Sequence, residues 1–268
     1  MAGLLAAASL AAAPVAPAAP APKPPYWRVD WGEPRCSLVR EGGDAGPSLA
    51  VRFVPADRRA EVWIIDPRWG RSAFGDTGSI RLVLEPAEGE PVARFVFLPV
   101  GKGGRHALAT ENAGDEFLDR LAKAEAVSLR KRGAEILRIP LPAAANAVSG
   151  ARQCEDDMLA RWGVDPVVFR KLRQRPKPIG IETWLNASDY PASALRSMTT
   201  GTSVARVDVS ESGKVTGCAI VLASGSEDLD RATCMAALRR GRFAPAIAAD
   251  GKPVRAITIF PVRWTIFG

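Results

Sequence analysis

The chain has 268 residues, 47% of them hydrophobic and 24% charged, enough apolar surface for one large or two ordinary cores, which excludes wholesale disorder. Its single histidine, His106, excludes His-rich metal sites and any catalytic scheme that needs two imidazoles. The formal charge of +7 is concentrated rather than spread: residues 161–179 hold six Lys/Arg against one Asp/Glu, so no folded basic face for nucleic acid is implied.

Residues 1–22 read MAGLLAAASLAAAPVAPAAPAP. The apolar run from Leu4 to Ala13 has the length of a signal-peptide core and about half the ~20 residues that a membrane-spanning helix needs. Pro14, Pro17, Pro20 and Pro22 then break it, because proline removes a donor and clashes with the preceding turn. Small residues follow in Ala-x-Ala spacing, although no Lys or Arg precedes the core. The expectation is an export signal cleaved within residues 13–22, hence a periplasmic protein, with an uncleaved leader acting as an anchor as the alternative.

Residues 26–160 read as an antiparallel β-sandwich-like domain closed by a helix. Short runs of strand composition occur at Trp27–Asp30, Cys36–Arg40, Leu49–Val54, Glu61–Ile65, Ile80–Leu84 and Val92–Leu98, separated by Gly, Pro and Asp clusters. Within them the period is two: Leu49, Val51 and Phe53 point one way, Ala50 and Arg52 the other. Residues 114–121 predict a short helix, Val127–Arg130 and Glu135–Leu141 two more strands, and residues 143–162 a closing helix that carries Cys154. This order resembles small exported β domains of the invasion-associated locus B type.

Little chemistry is expected in that half. Gly101-Lys102-Gly103-Gly104-Arg105-His106 lacks the Gly-Lys-Ser/Thr end of a phosphate loop and reads as a surface hairpin. Trp63, Trp69 and Phe74 read as core or cross-strand aromatics rather than a sugar platform. Asp156 and Asp157 are adjacent on a helix, so they point about 100° apart and cannot share an acid/base site. No nucleophile–base–orienter set is present, and no catalytic residue, metal ligand or cofactor is expected.

Residues 161–180 form the basic linker, with Arg161, Arg170, Lys171, Arg173, Arg175 and Lys177. Like charge should keep it extended and solvated, able to touch lipid headgroups transiently.

Residues 181–268 read as a β-β-α-β unit, which makes the whole chain α+β. Tyr190-Pro191 opens a short helical turn. Val204–Ser210 alternates, Glu211-Ser212-Gly213-Lys214 turns, and Val215–Leu222 returns with Cys218 on one face. A helix from Leu229 to Gly241 follows, capped by Ser226 or Asp228, acidic at its start and basic at its end. Asp250-Gly251-Lys252-Pro253 is a second turn, leading into a long last strand over Arg255–Phe267.

Four cysteines allow three pairings, and none lies in a C-x-x-C motif. Cys36 and Cys154 bracket the first region, while Cys218 and Cys234 both lie in the second. Pairing within each region needs no bridge between them, which predicts Cys36–Cys154 and Cys218–Cys234, bonds that persist in an oxidising compartment.

Several of these residues occur in the order seen in the C-terminal domain of TonB, the periplasmic energy transducer, and residues 184–267 resemble that family. Tyr190-Pro191 comes first, then Gly201, then the hairpin with Gly213. Ser224-Gly225 precedes Leu229-Asp230, Arg239-x-x-Arg242-Phe243-x-Pro245-Ala246 closes the helix, and Asp250-Gly251-Lys252-Pro253-Val254 leads into the final strand. The resemblance implies a non-enzymatic module that binds the periplasmic end of an outer-membrane receptor by adding a partner strand beside its last strand. The implied contacts are Tyr190, Pro191, Ile257, Thr258, Ile259, Phe260 and Arg263. An exposed last strand also implies that two copies could exchange strands into a homodimer. A full transducer carries an inner-membrane helix and a long Pro-rich spacer; a β-rich domain stands here in the spacer's place, so only the recognition half of that function carries over. The alternative is a genuine transport component, held by an uncleaved leader or a separate subunit.

Overall fold

A computed structural model describes residues 23–266 apart from residues 45, 58, 71–72, 75, 87–89, 102–104 and 115. The leader expected over residues 1–22 and the Gly-rich stretch 102–104 therefore lie outside the described residues.

Alternating apolar residues build the first half. Its elements are β1 (Tyr26–Gly32), β2 (Arg35–Glu41), β3 (Ser48–Phe53), β4 (Ala60–Ile65), β5 (Ile80–Glu85), β6 (Val96–Val100), β7 (Arg105–Ala113), α1 (Phe117–Lys123), β8 (Ala126–Lys131), β9 (Ala134–Pro140) and α2 (Ala144–Arg161). A six-stranded antiparallel sheet runs in the order β1-β2-β3-β4-β7-β6, and a three-stranded sheet in the order β5-β8-β9. The register places Leu38 against Val51 and Val51 against Val62, so the apolar parity of each strand falls on one face. Those side chains, with Leu82 and Leu129 of the smaller sheet, Leu121 of α1 and Met158 of α2, share one buried core. Each fully buried Leu or Ile contributes roughly 2 kcal/mol. Cys36 on β2 is bonded to Cys154 on α2, Cα to Cα 6.0 Å, and fixes the closing helix to the large sheet.

One local expectation fails here, and one strand was not expected. Val92 makes only an isolated bridge to Leu82, and the strand begins at Val96 rather than Val92. The hairpin expected around residues 101–106 joins β6 to β7, with Val100 opposite Arg105, but its second arm was not expected: β7 is a nine-residue strand lying between β4 and β6 with Ala107, Leu108 and Ala109 buried.

The basic segment is folded, not extended. Asp165 accepts hydrogen bonds from the amides of Val167 (2.8 Å) and Val168 (3.2 Å), and Pro166 starts α3 (Pro166–Arg170). Phe169 is buried against Ala56, Leu159 and Ile257. Arg161 pairs with Glu33 at 3.1 Å, Arg170 pairs with Asp156, and Arg175 lies over the Phe169 ring at 4.8 Å. Beyond it, β10 (Lys177–Pro178) pairs with β13 (Phe243–Ala244), and the Gln174 side chain donates to the Pro245 carbonyl at 3.0 Å. Burial of Phe169, partnered cations and this strand pairing outweigh the like-charge repulsion.

The remaining elements are α4 (Ala192–Arg196), β11 (Gly201–Val209), β12 (Val215–Leu222), α5 (Glu227–Arg240), β14 (Ala246–Ile247), β15 (Pro253–Val254) and β16 (Ala256–Trp264). The sheet order is β12-β11-β16, and α5 packs on one face around Trp184, Val207, Leu229, Phe243, Phe260 and Trp264. Cys218 on β12 is bonded to Cys234 on α5, Cα to Cα 5.6 Å. Pro253–Val254 pairs with Ala246–Ile247 around Asp250-Gly251, and the last strand, β16, is shorter than the expected Arg255–Phe267: it starts at Ala256 and ends at Trp264, with Thr265 and Ile266 outside it and Phe267 outside the described residues. Helix α5 begins at Glu227, two residues before the expected Leu229; Ser226 stands at its cap without a side-chain capping bond. Among the described residues, no helix is long and apolar enough to cross a membrane.

Candidate partner-strand interface

Strand β16 has one paired side and one open side. Nine consecutive pairs join it to β11, from Ala256↔Val209 to Trp264↔Gly201, with no break at Pro261↔Val204. In an antiparallel ladder each residue directs both its N–H and its C=O either toward the neighbour or away from it. Proline has no N–H to give, so an unbroken ladder through Pro261 places it among the residues directed away from β11. Ile257, Ile259 and Arg263 share its parity. Their main-chain groups therefore line the open edge, where no strand pairs with them among the described residues. Pro261 leaves one missing donor in that row.

The side chains alternate in step. Thr258, Phe260, Val262 and Trp264 point toward α5 and are buried, while Ile257, Ile259, Pro261 and Arg263 occupy the opposite face. Ile257 is sealed beneath Phe169 and Leu159, and Ile259 packs against the same cluster. Of the residues expected to contact a partner, Thr258 and Phe260 thus have buried side chains and main-chain groups directed toward β11, so neither reaches the open edge, while Ile257 has a buried side chain and offers only main chain. Arg263 and Tyr190 remain accessible as side chains.

Those two meet at a groove of about 530 Å³, lined by Leu185, Tyr190, Leu195, Arg263, Trp264 and Ile266 among others. Tyr190 is held from two directions: its hydroxyl donates to the Thr199 carbonyl at 2.6 Å, and its ring meets Trp264 edge-on at 5.2 Å. The Trp264 indole N–H in turn donates to Thr233 on α5 at 3.0 Å. Pro191 caps α4, whose Leu195 stays 43% exposed beside the groove. Leu195 and Ile266 were absent from the expected contacts; the only available signal was an exposed apolar residue close to Tyr190-Pro191.

The framing segment is pinned electrostatically. Arg240 at the end of α5 donates to Asp189 at 2.6 Å and to the Trp184 carbonyl at 2.6 Å. That hydrogen bond from Arg240 holds the Asp189 carboxyl below its usual range, outweighing desolvation, with help from the Asn186 amide and nearby Arg239. On the other side of α5, Asp230 accepts from Ser203 of β11 at 2.6 Å and from the Ser224 amide at 2.9 Å. Leu229 is fully buried, Phe243 meets Trp184 edge-on at 5.0 Å, and Pro245 supplies the carbonyl that Gln174 holds. Gly213 and Gly251 sit in their turns with φ of 77° and 86°.

The accessible groups of this site are a strand edge, an aromatic, two apolar side chains and an arginine. No cluster of three or more His, Cys, Asp or Glu able to hold a metal occurs among the described residues.

Compared with known proteins, residues 186–266 match the family model described as Gram-negative bacterial TonB protein C-terminal. The match spans the Tyr190 groove, α5 and β16, the residues on which the resemblance was read. No curated protein and no solved structure matches the chain.

Proposed function

We propose that the protein is an exported, periplasmic binding protein, not an enzyme, whose C-terminal unit takes an extended segment of a partner protein beside β16. The open edge at Ile257, Ile259 and Arg263 carries this reading, because unpaired main-chain groups are what β-augmentation uses. The family match adds the class of partner, a periplasm-facing segment of an outer-membrane receptor. Export is supported by the signal-like leader and by two disulfides that leave no free cysteine among the described residues. The proposed organisation is a leader over 1–22, a β-sandwich-like domain over 26–160, a basic connector over 161–180 and the binding unit over 181–268. Two sheets closing on one core support the sandwich. Two copies pairing through β16 would form a homodimer by the same chemistry.

The test is amide hydrogen exchange on the full chain with a panel of peptides copied from the periplasm-facing segments of outer-membrane receptors. Slowed exchange at Ile257, Ile259 and Arg263 is the expected result. If no peptide slows those amides, the strand-addition reading is wrong.

A further inference from the structure

The open edge of β16 is flanked on both sides. A strand added there would direct alternate side chains to its two faces. One set would meet the Tyr190–Leu195–Ile266 groove, which is apolar. The other would enter a cavity of about 420 Å³ whose far wall belongs to the first half of the chain. That wall is the outer face of β4, β7 and β6, where Trp63, Val96 and Leu98 stand opposite Arg263, with Arg94 beside them.

The charge on this second side is predominantly positive. Arg52 lies over the Trp63 ring at 5.3 Å, and Arg94 and Arg263 are exposed. None of the three has a carboxylate partner among the described residues, whereas Arg161 and Arg170 are paired with Glu33 and Asp156. Glu61, the one acid on this wall, is already engaged by Arg35 at 3.4 Å and by the Trp63 indole N–H at 3.2 Å. Unpaired cations over an aromatic floor attract carboxylates and repel ammonium groups.

Resting on the strand-addition reading above, we propose that this slot selects a partner segment in which apolar and acidic residues alternate. The apolar set packs on Tyr190 and Leu195, and the acidic set faces Arg94 and Arg263. The first half of the chain is then part of the binding site, supplying the wall that reads the partner's charge.

Three ten-residue peptides test this: valine alternating with glutamate, with threonine and with lysine, titrated by fluorescence anisotropy against the full chain. The glutamate peptide should bind on the order of tenfold more tightly than the threonine peptide, and the lysine peptide most weakly. Arg94→Glu combined with Arg263→Glu should invert the order. Arg81→Glu combined with Lys171→Glu, which makes the same charge change away from the slot, should not. Equal binding of the glutamate and threonine peptides, or an order unmoved by the Arg94/Arg263 pair, overturns the charge selection and leaves strand addition standing. Failure of all three peptides to slow exchange at Ile257 and Ile259 overturns both. A dimer by light scattering that the glutamate peptide does not dissolve gives the edge to a second copy and likewise overturns the proposal.

Discussion

Gly213 and Gly251 both turn the chain with positive φ, yet their surroundings differ. A Cβ on Gly213 would collide with the Phe243 carbonyl oxygen, whereas one on Gly251 would find only the Arg173 guanidinium, at 3.8 Å. Gly213→Ala should therefore cost more than the roughly 1–2 kcal/mol of left-handed strain, because Phe243 must also move, while Gly251→Ala should stay near that strain alone. Thermal melts of the two variants check the order. Asp189 provides a second test at this scale. Its folded titration lies below the unfolded one, so its stabilisation is present above the unfolded value and lost as pH falls through the folded value. Asp189→Asn should weaken the protein in urea at and above about pH 5, with the difference shrinking as pH falls past the ordinary carboxylate range and closing only below the folded carboxyl's lower value. The glycines were readable in the sequence because a turn is local chemistry. The partnership of Asp189 with Arg240 was not, because 51 residues separate them.

Among the elements, the two disulfides join layers that would otherwise rely on packing alone. They close spans of 118 and 16 residues. In the chain-entropy picture, replacing both Cys218 and Cys234 by Ala should cost about 3 kcal/mol, and replacing Cys36 and Cys154 nearly 5; equilibrium denaturation of the two double variants measures the gap. Most strands declared themselves through alternation of Val, Ile, Leu and Phe. The strand over Arg105–Ala113 did not: Arg-His-Ala-Leu-Ala-Thr-Glu-Asn-Ala is poor in β-branched and aromatic residues. It is a strand because β4 and β6 flank it, which is tertiary information. The last strand shows the converse: the expected strand over Arg255–Phe267 is apolar enough at Thr265 and Ile266, but β16 ends at Trp264, where its pairing with Gly201 at the start of β11 runs out.

Across the whole molecule, the two halves meet where the sequence suggested a solvated tether. Its charge was conspicuous, while the buried position of Phe169 depended on Leu159 and Ile257, one from each side. Phe169→Ala should lower stability by about 3 kcal/mol or more and speed amide exchange in the neighbouring part of β16. The candidate site was half readable in the same sense. The edge strand and Tyr190 followed from motif order, but the wall formed by Trp63, Val96 and Leu98 comes from strands 165 to 200 residues before Arg263, and no spacing rule links them.

The decisive measurement is the set of nuclear Overhauser contacts between the full chain and a bound receptor segment. Cross-strand contacts from Ile257, Ile259 and Arg263 to alternate residues of the segment, with a gap at Pro261, are the expected outcome. Contacts running instead along β12, the opposite edge of the same sheet, would contradict it.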